Sequence, residues 1–431
     1  MYVRDTAASR VGELLVSDLE VVEICAGAGG QAHGLHRAGF HHALAVELDS
    51  QAAATLEANS TWRVAVGDVA DPAVWDPSEY EGVALLAGGV PCPPFSMAGK
   101  QLGSADERDL FAWAVEQVGV VKPRALMLEN VRGLAAPRFA AYRQHVLDRL
   151  AQFGYVGDWR LLTSADFGLP QLRPRFVLVA MKPEDAAYFR WPEPFGSRVT
   201  VGEAIGDLMA ENGWPHAREW ASFANGIAPA LVGGSKKHGG ADLGPTRAKL
   251  AWSKLGVDGK GIAEEAPGPD APHFSLRAPR LTIPMVARLQ GWGSDSGWVF
   301  TGRKTSQYRQ IGNAFPPPVA EAVGRAIKSA LLHEGTPHEV PELVSDLHDP
   351  IYRELSRAAD FVSLDRLVAA MTVGTESLVQ RQLAVLARDF ELDELQTANG
   401  PMYRLGDFKG FTGESSHPRN EYIAQHRNRV S

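Results

Sequence analysis

The residue in this chain best placed to do chemistry is a cysteine held between prolines. Cys92 sits in Gly88-Gly89-Val90-Pro91-Cys92-Pro93-Pro94-Phe95-Ser96, directly after the apolar run 83–87. A lone cysteine is more often a small buried hydrophobe. Here the prolines on both sides fix a rigid, non-helical loop. A thiol at a strand end becomes a nucleophile where positive groups or backbone N–H donors favour its thiolate. Two kinds of partner for such a thiolate stand further along. Glu129 closes the apolar run 125–128 in Leu128-Glu129-Asn130-Val131 and offers a carboxyl for proton transfer. Arg173 and Arg175 alternate in Gln171-Leu172-Arg173-Pro174-Arg175, and a period of two puts both on one face of an extended segment.

The second chemical feature is a glycine turn. Val21-Val22-Glu23-Ile24-Cys25 leads into Ala26-Gly27-Ala28-Gly29-Gly30-Gln31-Ala32, which reads as strand, turn and helix start in the pattern G-x-G-x-x-A. Such a turn lets the backbone approach a ligand, and the helix N-terminus favours negative groups. Glu47 ends the next strand, where a carboxylate can accept hydrogen bonds from ribose hydroxyls. Asp68, in Gly67-Asp68-Val69 after the third strand, is a candidate partner for the amino group of an adenine. These residues indicate a ligand carrying adenosine. They do not separate a nicotinamide dinucleotide from S-adenosylmethionine.

The elements that must position these groups follow from hydrophobic patterning. Strand-like runs at 19–25, 43–48, 64–66, 83–87, 125–128 and 176–180 alternate with helical patterns such as 31–38, 110–118 and 139–153. That alternation predicts a parallel, doubly wound α/β sheet whose carboxyl edge collects the ligand. From Trp191 to about Pro279 the chain is rich in Gly and Pro and loses periodicity. Regular structure resumes at 281–289, and prolines open a helix over 316–332. A second boundary falls at 335–341. Beyond it, helical patterns at 365–371 and 377–389 precede residues 394–405, where Asn399-Gly400 predicts a hairpin turn.

Composition bounds the function classes. The 431 residues allow two or three domains. A 45% hydrophobic and 22% charged content is ordinary for a globular chain. The net charge of -8 carries no global basic footprint, so a nucleic-acid partner must meet a local basic surface. The only cysteines, Cys25 and Cys92, make no metal-ligand spacing and no disulfide framework, so neither a metal nor a membrane role is expected. With no apolar leader and no spanning segment, the expected setting is cytoplasmic.

At this point the chain resembles the cytosine-C5 DNA methyltransferase family. The resemblance rests on an ordered set: Ala26-Gly27-Ala28-Gly29-Gly30; Glu47; Asp68; Pro91-Cys92 with Phe95-Ser96; Glu129-Asn130-Val131; Gln171 to Arg175; Ala287-Arg288-Leu289-Gln290-Gly291; and Gln310-Ile311-Gly312-Asn313-Ala314. The resemblance implies a Rossmann-like methyltransferase domain and S-adenosylmethionine as methyl donor. The donor would be held around Cys25, Ala26, Gly27, Gly29, Gly30, Glu47, Leu48, Asp68, Val69, Pro91, Asn313 and Ala314. Cys92 would add to C6 of a flipped-out cytosine and Glu129 would contact N3. Arg173 and Arg175 would hold the cytosine carbonyl and nearby phosphates and orient Glu129. Duplex DNA would be met by Ser96, Lys100, Gln101 and Arg108 after the nucleophile, and by Lys236, Lys237, His238, Arg247 and Lys249 in the Gly-rich region. The likeness is to bacterial modification enzymes, with a restriction or other defence protein as a partner. A transfer-RNA methyltransferase and a catalytically silent DNA-binding module are the competing readings.

The implied division is a catalytic domain of residues 18–189 and 278–333, an inserted target-recognition domain of 190–277, and a helical, winged-helix-like accessory domain of 336–431. Three departures stand out. Cys25 occupies a place where the family usually has phenylalanine. Residues 281–288 lack the Arg-Glu pair common before Ala-Arg. Residues 335–431 lie outside the family core.

Overall fold

A computed structural model describes residues 19–91, 110–195, 198–233, 241–293, 295–339 and 349–414. Its centre is a seven-stranded sheet in the order β3-β2-β1-β4-β5-β8-β6. The strands are β1 (Glu20–Ile24), β2 (His41–Glu47), β3 (Val64–Val66), β4 (Leu85–Gly88), β5 (Ala125–Val131), β6 (Val156–Thr163) and β8 (Pro174–Met181), with β7 (Gln171–Leu172) outside it. β1, β4, β5 and β8 are near-continuous apolar runs, as strands covered on both faces must be. One face is covered by α1 (Gly30–Ala38) and α11 (Pro317–Leu331), packing Leu35, Val323 and Ile327 on Val21 and Leu85. The other is covered by α3 (Leu110–Val121) and α4 (Ala140–Gln152), whose Phe111, Trp113 and Leu147 meet Leu86 and Leu178. α2 (Ser50–Asn59) follows β2.

The sheet is not wholly parallel, which corrects the expectation from strand–helix alternation. β1 to β5 pair in parallel, but β8 runs antiparallel between β5 and β6. The physical reason is the link from β6 to β8. About ten residues suffice for a reversal and are too few for a crossover helix. β6 escaped the sequence reading because Asp158 and Arg160 interrupt its apolar pattern at an edge position.

Short elements follow: α5 (Pro183–Ala186), α6 (Val201–Ala210), α7 (Ala217–Phe223), β9 (Ala228–Pro229, paired with β7) and α8 (Thr246–Ser253). Then come α9 (Ile283–Gln290) and α10 (Lys304–Asn313). Trp214, Trp220 and Trp252 share one apolar cluster with Leu281, Met285, Tyr308 and Ile311. By packing, α9 and α10 therefore sit with the inserted residues, while α11 sits with the sheet. Buried Met285, Val286 and Leu289 give α9 its support in place of the missing Arg-Glu pair.

The last elements run helix, strand, helix, helix, strand, strand: α12 (Pro350–Arg357), β10 (Val362–Ser363), α13 (Leu364–Ala370), α14 (Glu376–Leu386), β11 (Phe390–Thr397) and β12 (Gly400–Phe408). α12 and β10 were not legible in the sequence. The hairpin turn falls one residue earlier than expected: Thr397 pairs with Gly400 across Ala398-Asn399. This unit rests on α4. His145 stacks on Phe408 at 4.5 Å, Tyr352 donates to Asp148 at 3.1 Å, and Phe411 joins the cluster around Trp113.

Candidate active site

Strand order reverses between β1 and β4, and loops leaving such a pair at their carboxyl ends splay apart to form a crevice. The glycine turn leaves β1 there. Ala26 N–H is held by the Val46 carbonyl at 3.1 Å, and Gly27 has a left-handed backbone (φ 57°) with open space where a side chain would project. Cys25 itself carries a positive φ of 51°, a conformation that strains any residue with a Cβ and is concentrated at functional sites.

Glu47 fastens this turn to β2. Its carboxylate accepts the Gly27 N–H at 2.7 Å through one oxygen and the Asp49 N–H at 2.7 Å through the other. Burial raises its pKa and these two donors pull it back. A carboxylate has about four acceptor positions, so capacity remains for ribose hydroxyls. Asp68 accepts from Ala70 N–H at 3.1 Å and stands after β3, while Val69 is buried beneath it. Open backbone over Gly27, with two carboxylates at neighbouring strand ends, fits the hydroxyl and amino donors of an adenosine.

The next two glycines are also constrained by packing. A Cβ on Gly29 would collide with the Trp298 ring, and one on Gly30 with the Phe315 carbonyl. Both are small because protein approaches them. Ala314 is likewise engaged inside the protein, its carbonyl accepting from Gln290 Nε2 at 2.7 Å. Asn313 is exposed at the end of α10, its side chain against Gly233.

Gly89 joins the cofactor end to the reactive end. Its would-be Cβ lies 3.5 Å from Glu129 Oε2 and 3.7 Å from the Cys25 carbonyl. Glu129 projects from the end of β5 and is buried, with Arg175 Nε 2.5 Å from its Oε1. That contact is an ion pair, not a well-aligned hydrogen bond. Burial raises the Glu129 pKa, opposed first by Arg175 and then by Arg173. Asn130, also buried, donates from Nδ2 to the Val90 carbonyl at 3.1 Å. It thereby fixes the segment leading through Pro91 to Cys92, a role the sequence reading did not assign.

The two arginines flank the start of β8, and the charges of both act on Glu129, but their direct partners differ. Arg173 donates to the carbonyls of Leu231, Gly312 (2.7 Å) and Ala314 (3.2 Å) and is buried. Its terminal nitrogens are committed to the protein, and the direct contact with Glu129 is made by Arg175. Gln171 completes the junction, accepting the Leu231 N–H at 2.8 Å and donating to Gln290 Oε1 at 2.8 Å. Of the expected DNA contacts, Arg247 is exposed on α8 and Lys249 is paired with Asp242 at 2.7 Å. Cys92, Ser96, Lys100, Gln101, Arg108, Lys236, Lys237 and His238 lie outside the described residues.

The sheet, its crevice and the strand-end carboxylates define a Rossmann-like methyltransferase fold. Residues 19–329 match the family model for C-5 cytosine-specific DNA methylase, and the chain belongs to that family. It is 59% identical over 418 residues to the type II methyltransferase M.NaeI of Lentzea aerocolonigenes, covering 96% of this chain and 100% of that protein. It is 49% identical to the type II methyltransferase M.NgoMIV of Neisseria gonorrhoeae over 73% of this chain and 98% of that protein. Among solved structures, DNMT2 of Spodoptera frugiperda, in a mutant form, has the same fold at 15% identity and a TM-score of 0.50, covering 72% of this chain and 99% of that one. The protein is a DNA cytosine-5 methyltransferase of the type II modification kind. Among the described residues, no helix is long and apolar enough to cross a membrane.

Proposed function

We propose that Cys92 attacks C6 of a cytosine swung out of duplex DNA and that Glu129, held by Arg175, serves N3 of the same ring. C5 of cytosine is a weak nucleophile. Addition of the Cys92 thiolate to C6 forms an S–C bond and pushes the ring electrons toward C5 and N3. The Glu129 carboxyl, kept protonated to higher pH by burial, donates at N3 and relieves that charge. S-adenosylmethionine, when bound, supplies the methyl group that C5 takes up. Loss of the C5 proton then returns the electrons and expels Cys92. Glu47, Asp68 and the Gly27 backbone would hold the adenosine, and Asn130 would keep the Cys92 segment facing Glu129. The base must leave the stack because C6 is inaccessible within it, at a cost of roughly a few kcal/mol.

The observation that carries this reading is Gly89 facing both Glu129 Oε2 and the Cys25 carbonyl, which joins the acid to the cofactor end in one crevice. A duplex carrying 5-fluorocytosine tests it. Fluorine cannot leave as a proton does, so the wild type should give a covalent complex through Cys92 in the presence of S-adenosylmethionine. A complex that survives Cys92→Ala overturns the assignment. Bisulfite mapping after expression in a methylation-free host would give the target sequence. A restriction enzyme or other defence protein sharing that target is the proposed functional partner.

We further propose that residues 349–414 form a winged-helix-like accessory unit that contacts protein and does not read DNA. Glu391, Asp393 and Glu394 on the exposed hairpin would repel phosphates. M.NgoMIV, nearly all of which is covered by 73% of this chain, supports a core that is complete without it.

A further inference from the structure

We propose that His216, Glu219 and His273 form a site for a divalent transition metal of the zinc class, which braces the inserted segment. Their ligand atoms all lie within 4.8 Å of one another. His273 Nε2 is 3.3 Å from Glu219 Oε1, and the two imidazoles meet edge to face with centroids 4.9 Å apart. Two imidazole nitrogens and a carboxylate oxygen form a donor set that suits zinc. Metal–ligand distances of about 2.0–2.2 Å in a tetrahedron place ligand atoms roughly 3.3 Å apart. The His273–Glu219 pair already has that spacing, and rotation of the His216 ring closes the set.

The frame around these groups is rigid where it matters. His216 and Glu219 lie three apart at the start of α7, which puts them on one face. The opposite strap is held by buried Trp214, whose Nε1 lies 3.2 Å from the Ala271 carbonyl and 3.3 Å from that of Pro272. Phe274 packs on the His273 ring at 4.3 Å. Ser275 sits against His273 Nδ1, its Oγ at 2.8 Å and its backbone N–H donating at 3.2 Å, so the Nε2 proton that faces Glu219 is released when a metal binds there. A plain hydrogen bond between His273 and Glu219 accounts for two of the groups. The second imidazole, His216, stands edge-on to both Trp214 and His273 and brings a third ligand atom to the pair. Glu219 is 65% exposed, so a fourth position opens to water.

The bridge would connect positions 57 residues apart within the insert. Binding there raises the stability of the Trp220–Trp252 cluster, because the site exists only in the folded chain. The role is structural. None of the three residues belongs to the crevice at Gly27 or the Glu129–Arg175 pair.

The test uses untagged full-length protein, stripped with EDTA and dialysed against Zn2+ at pH 7.5. One zinc per chain is expected, with a melting temperature raised by several degrees at saturation. His273→Ala, folded by circular dichroism, should bind at least tenfold more weakly and lose the thermal shift, and Glu219→Gln should fall between. Co2+ in place of zinc should give the intense visible absorption of a tetrahedral site, absent in His273→Ala. Stoichiometric binding that His273→Ala does not weaken, or no binding by the wild type, overturns the proposal.

Discussion

The carboxyl edge of the sheet and the inserted segment both hold polar side chains in fixed places, by different means. At the sheet edge each functional group sits at a strand end, and its support is a neighbour in the fold's basic repeat: Glu47 holds Gly27, Asn130 holds Val90. In the insert the supports are long-range tryptophan, glutamine and histidine contacts, such as Trp214 with Ala271 and Gln171 with Leu231. The first arrangement depends on strand order. The second depends on tertiary closure, and the two should fail differently.

The largest separation is expected at the nucleophile. Cys92→Ala should reduce methyl transfer to background while leaving DNA and cofactor binding intact, as read by isotope incorporation and gel shift. Methylation above background by the purified variant would sink the assignment.

Next come the two arginines, which sharpen the contrast between edge and junction. Arg175→Ala should cut turnover about a hundredfold or more with little change in unfolding midpoint, because it removes the partner of a catalytic carboxyl. Arg173→Ala should instead cost about 3 kcal/mol of stability, since three buried carbonyls lose their donor. Urea unfolding beside steady-state rates distinguishes them, and equal losses in both readouts would erase the distinction.

The pH dependence of Glu129 is a third handle. Burial raises its pKa, so the proton-donating form persists above the ordinary carboxyl range and is lost as pH rises through the folded value. Turnover should therefore carry an alkaline decline that Glu129→Gln flattens while lowering the overall rate. An unchanged profile in the variant would assign that limb elsewhere.

The smallest effect concerns the C-terminal unit. Burial lowers the pKa of His145, which is packed on Phe408 and Phe390, to about 4. It is neutral when docked and protonates near its ordinary value of about 6.5 when released. Its contribution is present above that value and lost as pH falls toward 4, at most about 3 kcal/mol. His145→Phe should remove this acid slope from the melting curve. Deleting residues 336–431 should lower stability yet keep methylation of short duplexes within an order of magnitude. A folded, soluble, inactive truncation would show that the core needs its appendage.

How much of this was legible in the sequence follows the same contrast. Gly27, Glu47, Asp68, Pro91 and Glu129 could be placed because a strand followed by a turn fixes where its next residue stands. The antiparallel β8 could not, since its apolar run reads alike in either direction. The partners of Arg173 were not legible, because the Leu231, Gly312 and Ala314 carbonyls meet it only in the folded chain. That Trp298 and Phe315 close on Gly29 and Gly30 was not legible, because both partners lie far along the chain. His273 stands 54 residues beyond Glu219, so only the folded chain brings it beside His216 and Glu219.

The close contact between α1 and α11 has a consequence for synthesis. Gly34 meets the Pro317 carbonyl, and a Cβ on Gly324 would lie 2.9 Å from that of Ala38. The first helix of the sheet is thus covered by the last helix of the core, almost 300 residues downstream. At roughly 5–20 residues per second, the ribosome needs some tens of seconds to deliver that cover. Throughout this interval Leu35 and Ala38 face solvent or a chaperone. A nascent chain stalled before residue 317 should be held by such a factor, and one released after residue 331 should not.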